Sequence, residues 1–275
     1  MESVQATNGD IELRVHVDGD GPTVLLLHGW PDTSALWDQV APELVGAGYR
    51  VAVPDLRGCG LSDKPDDVEL YRMHHLIGDV AAIIDVLEVE QVSLVGHDWG
   101  ANLAWATAAY RPDLVQRLVA ISVGHPTAFC SAGLSQQVKS WYMLLFHIDG
   151  LGEAFLRKND YEALRRWARH PRVQDIIDEL ERDGQMRAHL MWYRANARPD
   201  MFVSPPPELP MIAAPTLGIW SSGDFALSER QMTDSVAYCA GEFRYRRLET
   251  FGHWLPLEAP RELSEHLNEF FSSTQ

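Results

Sequence analysis

The residue best placed to do chemistry is Asp98, at the centre of residues 96–100, Gly-His-Asp-Trp-Gly. Glycines on both sides suit a sharp, strained turn between a strand and a helix, because larger side chains would collide there. The predicted strand run 93–95 before the turn and the helical composition after it predict that context. A carboxylate is ionised at neutral pH, so Asp98 could attack an electrophilic sp³ carbon without a base and form an alkyl ester.

Hydrolysis of such an ester requires a base that activates water. His253 lies in a predicted loop, residues 251–256, between the last predicted strand and the last predicted helix, from which it could reach the nucleophile. Asp224 follows the predicted strand 216–220 and could orient His253 and stabilise its charged form. The order nucleophile, acid, histidine is known for one class of catalytic triads.

Donors for the oxyanion of the same reaction are predicted at two backbone amides. Residues 28–31, His-Gly-Trp-Pro, follow the predicted buried strand 23–27, where a backbone N–H can face the nucleophile. We therefore expect the amides of Trp30 and Trp99 to bind the oxyanion. The adjacent His74 and His75 belong to no cluster with zinc spacing, so the sequence predicts neither a metal nor a cofactor.

Alternating strands and helices must position these residues. Residues 125–207, a mostly helical and aromatic-rich stretch, interrupt this pattern, and the three prolines at 205–207 mark the return to the sheet. The predicted strands are 11–17, 23–27, 50–53, 92–95, 216–220 and 242–248. The predicted helices are 35–45 with Ser34 as its N-cap, 73–87, 99–110, 228–238 and 261–271.

This alternation predicts an α/β fold, with a mainly parallel central sheet flanked by helices and with ligand sites at the carboxyl ends of the strands. We interpret the helical stretch 125–207 as a cap that is inserted into the α/β core. We therefore expect a core domain made of residues 1–124 and 208–275, and a helical cap domain, or lid, made of residues 125–207.

Composition restricts the partners of the chain. Its 275 residues carry a formal net charge of -16, which repels nucleic acid and anionic membranes, so we expect a small-molecule partner. No basic and apolar leader opens the sequence and no apolar run is long enough to span a bilayer, so we expect a cytoplasmic protein without membrane insertion. Cys59, Cys130 and Cys239 show no disulfide or metal spacing and are expected to be packed thiols.

The chain resembles the epoxide hydrolases of the α/β-hydrolase superfamily over nearly its whole length. The likeness includes the turn at residues 96–100, which we call the elbow, the segment 28–31, and the positions of Asp224 and His253. Residues 55–63, D-L-R-G-C-G-L-S-D, look like that family's D-x-R-G-x-G-x-S segment. Family members hold two cap tyrosines over the nucleophile, whose hydroxyls bind and protonate the epoxide oxygen. Tyr142 is similar to the first because it precedes a G-x-x-E segment at 150–153, and Tyr193, within W-Y-R, is similar to the second.

The resemblance implies an enzyme that converts an apolar epoxide to a vicinal diol. An ester on Asp98 would be hydrolysed by water that His253 activates. Ring opening leaves an alkoxide that is far more basic than a phenol, so neutral Tyr142 and Tyr193 are competent acids. The implied partners are an epoxide and water, and the oligomeric state stays open.

Other functions are compatible with parts of this pattern. A haloalkane dehalogenase shares the aspartate nucleophile, the histidine and the Trp after the nucleophile, but commonly has an asparagine at the place of Trp30 and needs no acidic phenols. A fluoroacetate dehalogenase carries arginines after the nucleophile, where this chain has Trp99, Ala101 and Asn102. A serine esterase is excluded at position 98, and a non-catalytic ligand-binding protein has no reason to keep the triad.

Overall fold

The computed structural model describes residues 2–182 and 184–273. Within them an eight-stranded sheet has the order β1-β2-β4-β3-β5-β6-β7-β8. The strand β2 is antiparallel to β1 and β4, and all other neighbours are parallel, which confirms the predicted α/β fold with a mainly parallel sheet. The strands are β1 (Glu2–Asn8), β2 (Ile11–Asp18), β3 (Thr23–Leu27), β4 (Arg50–Pro54), β5 (Val92–His97), β6 (Val115–Ile121), β7 (Thr216–Ser221) and β8 (Phe243–Leu248).

Helices cover both faces of this sheet. Among the described residues none of them is both long and apolar enough to cross a membrane. The α-helices are α1 (Val40–Gly46), α2 (Met73–Val86), α3 (Trp99–Tyr110), α4 (Pro126–Ser131), α5 (Leu134–Lys139), α6 (Tyr142–His147), α7 (Leu151–Glu162), α8 (Val173–Leu180), α9 (Gln185–Asn196), α10 (Glu229–Thr233), α11 (Leu255–Glu258) and α12 (Pro260–Ser272).

The central strands are apolar throughout because each lies between two hydrophobic clusters. In β3 every residue is buried. Leu26 packs with Leu44 of α1 and Leu263 of α12 on one side of the sheet, while Leu25 belongs to the cluster that contains Trp105 of α3 on the other. A strand buried on both faces loses the alternation of apolar and polar residues, as is typical of parallel sheets.

Two strands were not predicted from the sequence. The strand β1 is polar and mostly exposed, and it pairs only with β2 at the sheet edge, so no buried face marks it in the sequence. In β6 the polar residues Gln116 and Arg117 interrupt the apolar run just after the break at Pro112. Pairing with β5 and β7 determines that β6 is a strand.

Two predicted helices are wrong in their extent. Residues 35–45 divide into a 3₁₀ turn, Ser34–Trp37, and α1. The cap of that turn is Thr33 rather than Ser34, since the Thr33 hydroxyl accepts the Ala35 amide at 3.4 Å. The Ser34 amide donates to Asp55 at 2.9 Å. Residues 228–238 likewise divide into α10 and a 3₁₀ turn, Asp234–Tyr238.

The helices α4 to α9 all lie between β6 and β7, together with a π-helical turn, Ala163–Ala168. Within this segment α9, which carries Tyr193, is joined to α7. Arg194 of α9 donates to both carboxylate oxygens of Glu153 in α7, at 2.7 and 2.8 Å, and both side chains are largely buried. The division into a core of 1–124 and 208–275 and a cap of 125–207 remains a prediction.

Candidate active site

Asp98 occupies the sharp turn between β5 and α3 that the sequence predicts. Its backbone has φ 52° and ψ -121°, a strained conformation for a residue with a side chain. A Cβ on Gly100 would overlap the carbonyl oxygens of Leu27 and His28, and a Cβ on Gly29 would lie 2.5 Å from Cβ of Asp98. Glycine is therefore required at these positions because backbone from β3 passes directly beside the nucleophile.

His253 lies between two carboxylates. Its Nε2 is 3.6 Å from Oδ2 of Asp98, and its Nδ1 is 2.9 Å from Oδ2 of Asp224. The backbone amides of Ala226 and Leu227 donate to the other Asp224 oxygen, each at 2.8 Å, which fixes that carboxylate. The structure thus brings together Asp98, His253 and Asp224, although they are far apart in the sequence.

Electrostatics in this buried site favour a charged pair. Burial alone would lower the pKa of His253, but the charge and hydrogen bond of Asp224 and the nearby Asp98 outweigh it and raise that pKa to about 10. Burial likewise acts to raise the pKa of Asp224, and the charge and hydrogen bond of His253 outweigh it, so the pKa of Asp224 falls below its ordinary value. At neutral pH His253 is an imidazolium held by two carboxylates.

The two predicted oxyanion donors differ in their present contacts. The amide of Trp30 donates to Oδ1 of Asp98 at 2.9 Å. Within the described residues the amide of Trp99 makes no hydrogen bond to Asp98, although it opens α3 beside the carboxylate and is therefore an unpaired donor at a helix N-terminus. Of these two amides, that of Trp30 alone donates to the Asp98 carboxylate within the described residues.

Tyr142 and Tyr193 lie together above the nucleophile, at the start of α6 and near the end of α9. Their ring centroids are 6.0 Å apart. Tyr193 also packs edge-on against Trp99 at 5.1 Å and against Trp30 at 5.9 Å. Burial raises the pKa of both hydroxyls above the ordinary value, so both tyrosines are neutral and able to donate a proton.

A cavity of about 450 Å³ connects these groups. It is lined by Asp98, Tyr142 and Tyr193 together with apolar side chains from α3, α4, α6 and the chain before β7. A volume of this size is in the usual range for a small-molecule site. The cavity therefore provides space for a substrate in contact with both the carboxylate and the phenols.

Sequence reasoning missed the residues that hold the His253 loop. Nε2 of His97 donates to the carbonyl oxygen of His253 at 2.9 Å, and the hydroxyl of Ser122 donates to the same oxygen at 3.3 Å. Burial lowers the pKa of His97 to about 4, so its ring is neutral. No sequence signal separates His97 from an ordinary elbow residue, because its partner is a backbone atom 156 positions away.

Comparison with known proteins agrees with this geometry. Residues 22–260 match the family model of the α/β hydrolase fold. The AB hydrolase superfamily protein YfhM of Bacillus subtilis is 32% identical, over 97% of this chain and 96% of its own length. An epoxide hydrolase of Caballeronia sordidicola is 32% identical, over 96% of this chain and 92% of its own.

Solved structures show the same likeness. The crystal structure of the Bacillus megaterium epoxide hydrolase in complex with an inhibitor superposes with a TM-score of 0.88 at 26% identity, covering 99% of this chain and 100% of that one. An epoxide hydrolase found in metagenomes from hot environments gives a TM-score of 0.88 at 26% identity, over 99% of each chain. This chain therefore belongs to the α/β-hydrolase fold family, and its relatives there include epoxide hydrolases.

Proposed function

We propose that the chain is an epoxide hydrolase that converts an apolar epoxide to a vicinal diol through a covalent ester on Asp98. The observation that carries the proposal is the position of Asp98, which faces a His253–Asp224 pair on one side and two buried tyrosines across a cavity on the other. Relatives named epoxide hydrolases, which match nearly the whole chain, support the same activity.

In the first half of the reaction, Oδ2 of Asp98 is the attacking atom, since Oδ1 already accepts the Trp30 amide. Oδ2 forms a bond to an epoxide carbon, the carbon–oxygen bond of the ring breaks, and the ring oxygen stays on the substrate as an alkoxide. Tyr142 or Tyr193 donates its proton to that alkoxide. Because the ring opens without loss of an atom, the ester carries the whole mass of the epoxide.

In the second half, His253 removes a proton from water, and the resulting hydroxide attacks Cγ of Asp98. Negative charge develops on Oδ1, which faces the Trp30 amide, with the Trp99 amide as a second donor. The Cγ–Oδ2 bond breaks, the diol leaves with Oδ2 and takes a proton from His253, and the oxygen of water remains in Asp98. The new carboxyl group releases its proton, which restores the tyrosine.

The raised pKa of His253 fits this order of steps. The Asp98 carboxylate contributes to that pKa, so forming the ester removes one of the two negative charges beside the imidazole. The pKa of His253 falls as a result, so the imidazolium releases its extra proton to solvent, and the neutral imidazole can then accept a proton from water when the ester is hydrolysed. Asp224 keeps the ring oriented throughout.

Trapping the ester tests the proposal. The variant His253→Gln should ring-open an epoxide but hydrolyse the ester slowly, so intact-mass measurement should find an adduct equal to the mass of the whole epoxide. Peptide mapping should locate this adduct on Asp98. The variant Asp98→Asn, with the same fold and no nucleophile, is the control and should give no adduct.

The same experiment separates the alternatives. A haloalkane dehalogenase would give an adduct lacking the halogen after incubation with a haloalkane, and a non-catalytic binding protein would give no adduct with either compound. Wild-type protein that forms no diol from a panel of terminal and aryl epoxides, with no adduct in His253→Gln, would exclude epoxide hydrolysis. The cytoplasmic location remains a prediction that cell fractionation can test.

A further inference from the structure

The cavity above the nucleophile follows one face of α3. Asp98, Asn102, Ala106 and Tyr110 all line it, and each lies four residues from the next. This spacing forms a stripe along a helix, and the stripe from Asp98 to Tyr110 is about 18 Å long. Tyr110 is 53% exposed whereas Asp98 is 8% exposed, so the stripe leads from the surface down to the nucleophile.

Asn102 lies one helical turn above Asp98 on this stripe. Its backbone amide donates to the Asp98 carbonyl oxygen at 3.1 Å, so the first turn of the helix is formed and both side chains lie on the cavity side. In the described parts of the chain, the carboxamide of Asn102 forms no hydrogen bond. An amide has two N–H donors and an acceptor oxygen, all of which are free to bind a molecule in the cavity.

Asn196 lines the same cavity but, unlike that of Asn102, its side chain hydrogen-bonds to other parts of the described chain. Nδ2 of Asn196 donates to the carbonyl oxygens of Tyr71 at 2.8 Å and Trp192 at 3.1 Å, and its Oδ1 accepts the Met73 amide at 2.9 Å. The bonds to Tyr71 and Met73 join α9 to the start of α2, and the bond to Trp192 stays within α9. Asn196 therefore has a structural reason to be polar, which Asn102 lacks.

Apolar side chains form much of the wall of the cavity that Asn102 lines. They include Val123, Pro126, Phe129, Met143, Leu209 and Leu227. A hydrocarbon that fills this space would cover the Asn102 amide and leave it without a hydrogen bond, which is unfavourable. A substrate with an oxygen atom near Asn102 would instead form that bond.

We propose that Asn102 is a substrate-binding residue that hydrogen-bonds an oxygen substituent beside the epoxide ring. The preferred substrates are then oxygenated epoxides, in which an ether, carbonyl or hydroxyl oxygen lies close to the ring, rather than hydrocarbon epoxides. This inference rests on the proposed epoxide hydrolysis and specifies its substrate class. The amide accommodates either an acceptor or a donor, so the position of the oxygen matters more than its type.

A pair of matched substrates tests this role. Benzyl glycidyl ether and phenylpropyloxirane differ only in a methylene that replaces the ether oxygen. For the wild-type protein we expect kcat/KM to favour the ether by about 10- to 100-fold. In Asn102→Leu, which keeps the side-chain volume and suits a helix, we expect this ratio to fall by about tenfold or more.

Comparing the ratio between proteins removes the intrinsic difference in reactivity between the two epoxides. Met143→Leu is the matched control, because it alters an apolar side chain of the same cavity and should leave the ratio unchanged. Asn102→Ala provides a second measurement should the leucine variant fold poorly. A change in stability alone would not alter the ratio.

Two results would overturn the inference in distinguishable ways. Diol formation from both substrates, with a ratio in the Asn102 variants within about twofold of the wild-type ratio, would remove the role of Asn102 and leave the proposed function intact. No diol from either substrate or from the wider epoxide panel with the wild-type protein, and no adduct in His253→Gln, would overturn the proposed function and the inference together.

Discussion

At the residue scale, the two carboxylate oxygens of Asp98 have different surroundings. Oδ1 accepts the Trp30 amide at 2.9 Å, whereas Oδ2 lies 3.6 Å from Nε2 of His253. This difference supports a division of roles, in which Oδ2 forms the bond to substrate and Oδ1 later carries the negative charge of the tetrahedral intermediate. The proposed reaction thus depends on how single atoms are held.

The acid role proposed for the tyrosines leads to a prediction at this scale. Changing Tyr142→Phe together with Tyr193→Phe should slow formation of the Asp98 ester by about 10²–10⁴-fold, because no proton reaches the alkoxide. The fold should persist, since phenylalanine keeps the ring contacts with Phe146 at 5.4 and 5.1 Å. Ester formation is measured by rapid quench and intact mass.

Tyr245→Phe is the control for that experiment. Its hydroxyl donates to Glu229 at 2.9 Å, and it does not line the cavity. Wild-type rates of ester formation in the double tyrosine variant would rule out both hydroxyls as the acid.

The pKa of His253 leads to a second prediction, which concerns stability. Because this pKa rises from about 6.5 in the unfolded chain to about 10 in the fold, protonated His253 stabilises the native state. That contribution is complete below about pH 6.5 and is lost as pH rises through about 10. The difference in free energy of unfolding between wild type and His253→Gln should therefore shrink over this range.

Chemical denaturation of both proteins at several pH values measures this difference. Titration of groups away from this site is common to the two proteins and cancels. A difference that stays constant or grows from about pH 6.5 to about pH 10 would contradict the proposed coupling of His253 with Asp224 and Asp98.

At the element scale, the site depends on how closely β3, β5 and α3 approach one another. The end of β3 passes so near the start of α3 that Gly100 has no room for a Cβ beside the carbonyl oxygens of Leu27 and His28. Backbone atoms of a central strand cannot move away as a flexible side chain could. The elbow is consequently a property of three elements rather than of residues 96–100 alone.

Gly100→Ala tests this packing. The helix propensity of alanine would favour the variant by about 1 kcal/mol, but overpacking against fixed backbone costs about 1–3 kcal/mol and should dominate. We expect a lower free energy of unfolding than in the wild-type protein. We also expect a loss of activity, because α3 must shift relative to Asp98. Gly46→Ala is the control, since a Cβ at the exposed end of α1 meets nothing within 4 Å. Equal stability of the two variants would contradict the argument.

At the scale of the whole molecule, the helical segment between β6 and β7 is tied to the loops of the site. Nε2 of His170 lies 3.2 Å from Oδ1 of Asp32, two residues after the Trp30 amide, and both side chains are buried. Nε1 of Trp254, next to His253, donates to the carbonyl oxygen of Ala168 at 2.9 Å. One short stretch thereby contacts the loop of the oxyanion donor and the loop of the histidine.

Removing the buried contact between His170 and Asp32 should lower the free energy of unfolding. His170→Ala leaves Asp32 buried without its partner and should reduce the free energy of unfolding by about 3 kcal/mol or more. Arg187→Ala, which breaks an exposed ion pair between α9 and Asp66, is the control and should cost less than about 1 kcal/mol. Thermal and chemical denaturation measure both effects, and similar losses in the two variants would contradict a stabilising role for the buried pair.

Much of the candidate site follows from local sequence, because Asp98, Asp224 and His253 each lie shortly after a strand ends. Parallel strands bring their carboxyl ends to one edge of the sheet, so the turn at Asp98 and the loops of Asp224 and His253 converge there. Strand β6 was missed although it separates β5 from β7, since its identity as a strand depends on its neighbours. The meeting of these loops at one edge of the sheet was therefore predictable, although β6, a strand of that sheet, was not predicted.

The sequence by itself determined the α/β architecture, the elbow with its carboxylate and the order of the proposed triad, because these depend on short-range patterns and on the general geometry of parallel sheets. Only the tertiary structure decided which atoms meet. The tie between Asp32 and His170, the contact of His97 with the His253 carbonyl and the free amide of Asn102 in the cavity all depend on long-range packing. Local patterns do not encode such contacts, because their partners lie on elements that only folding brings together.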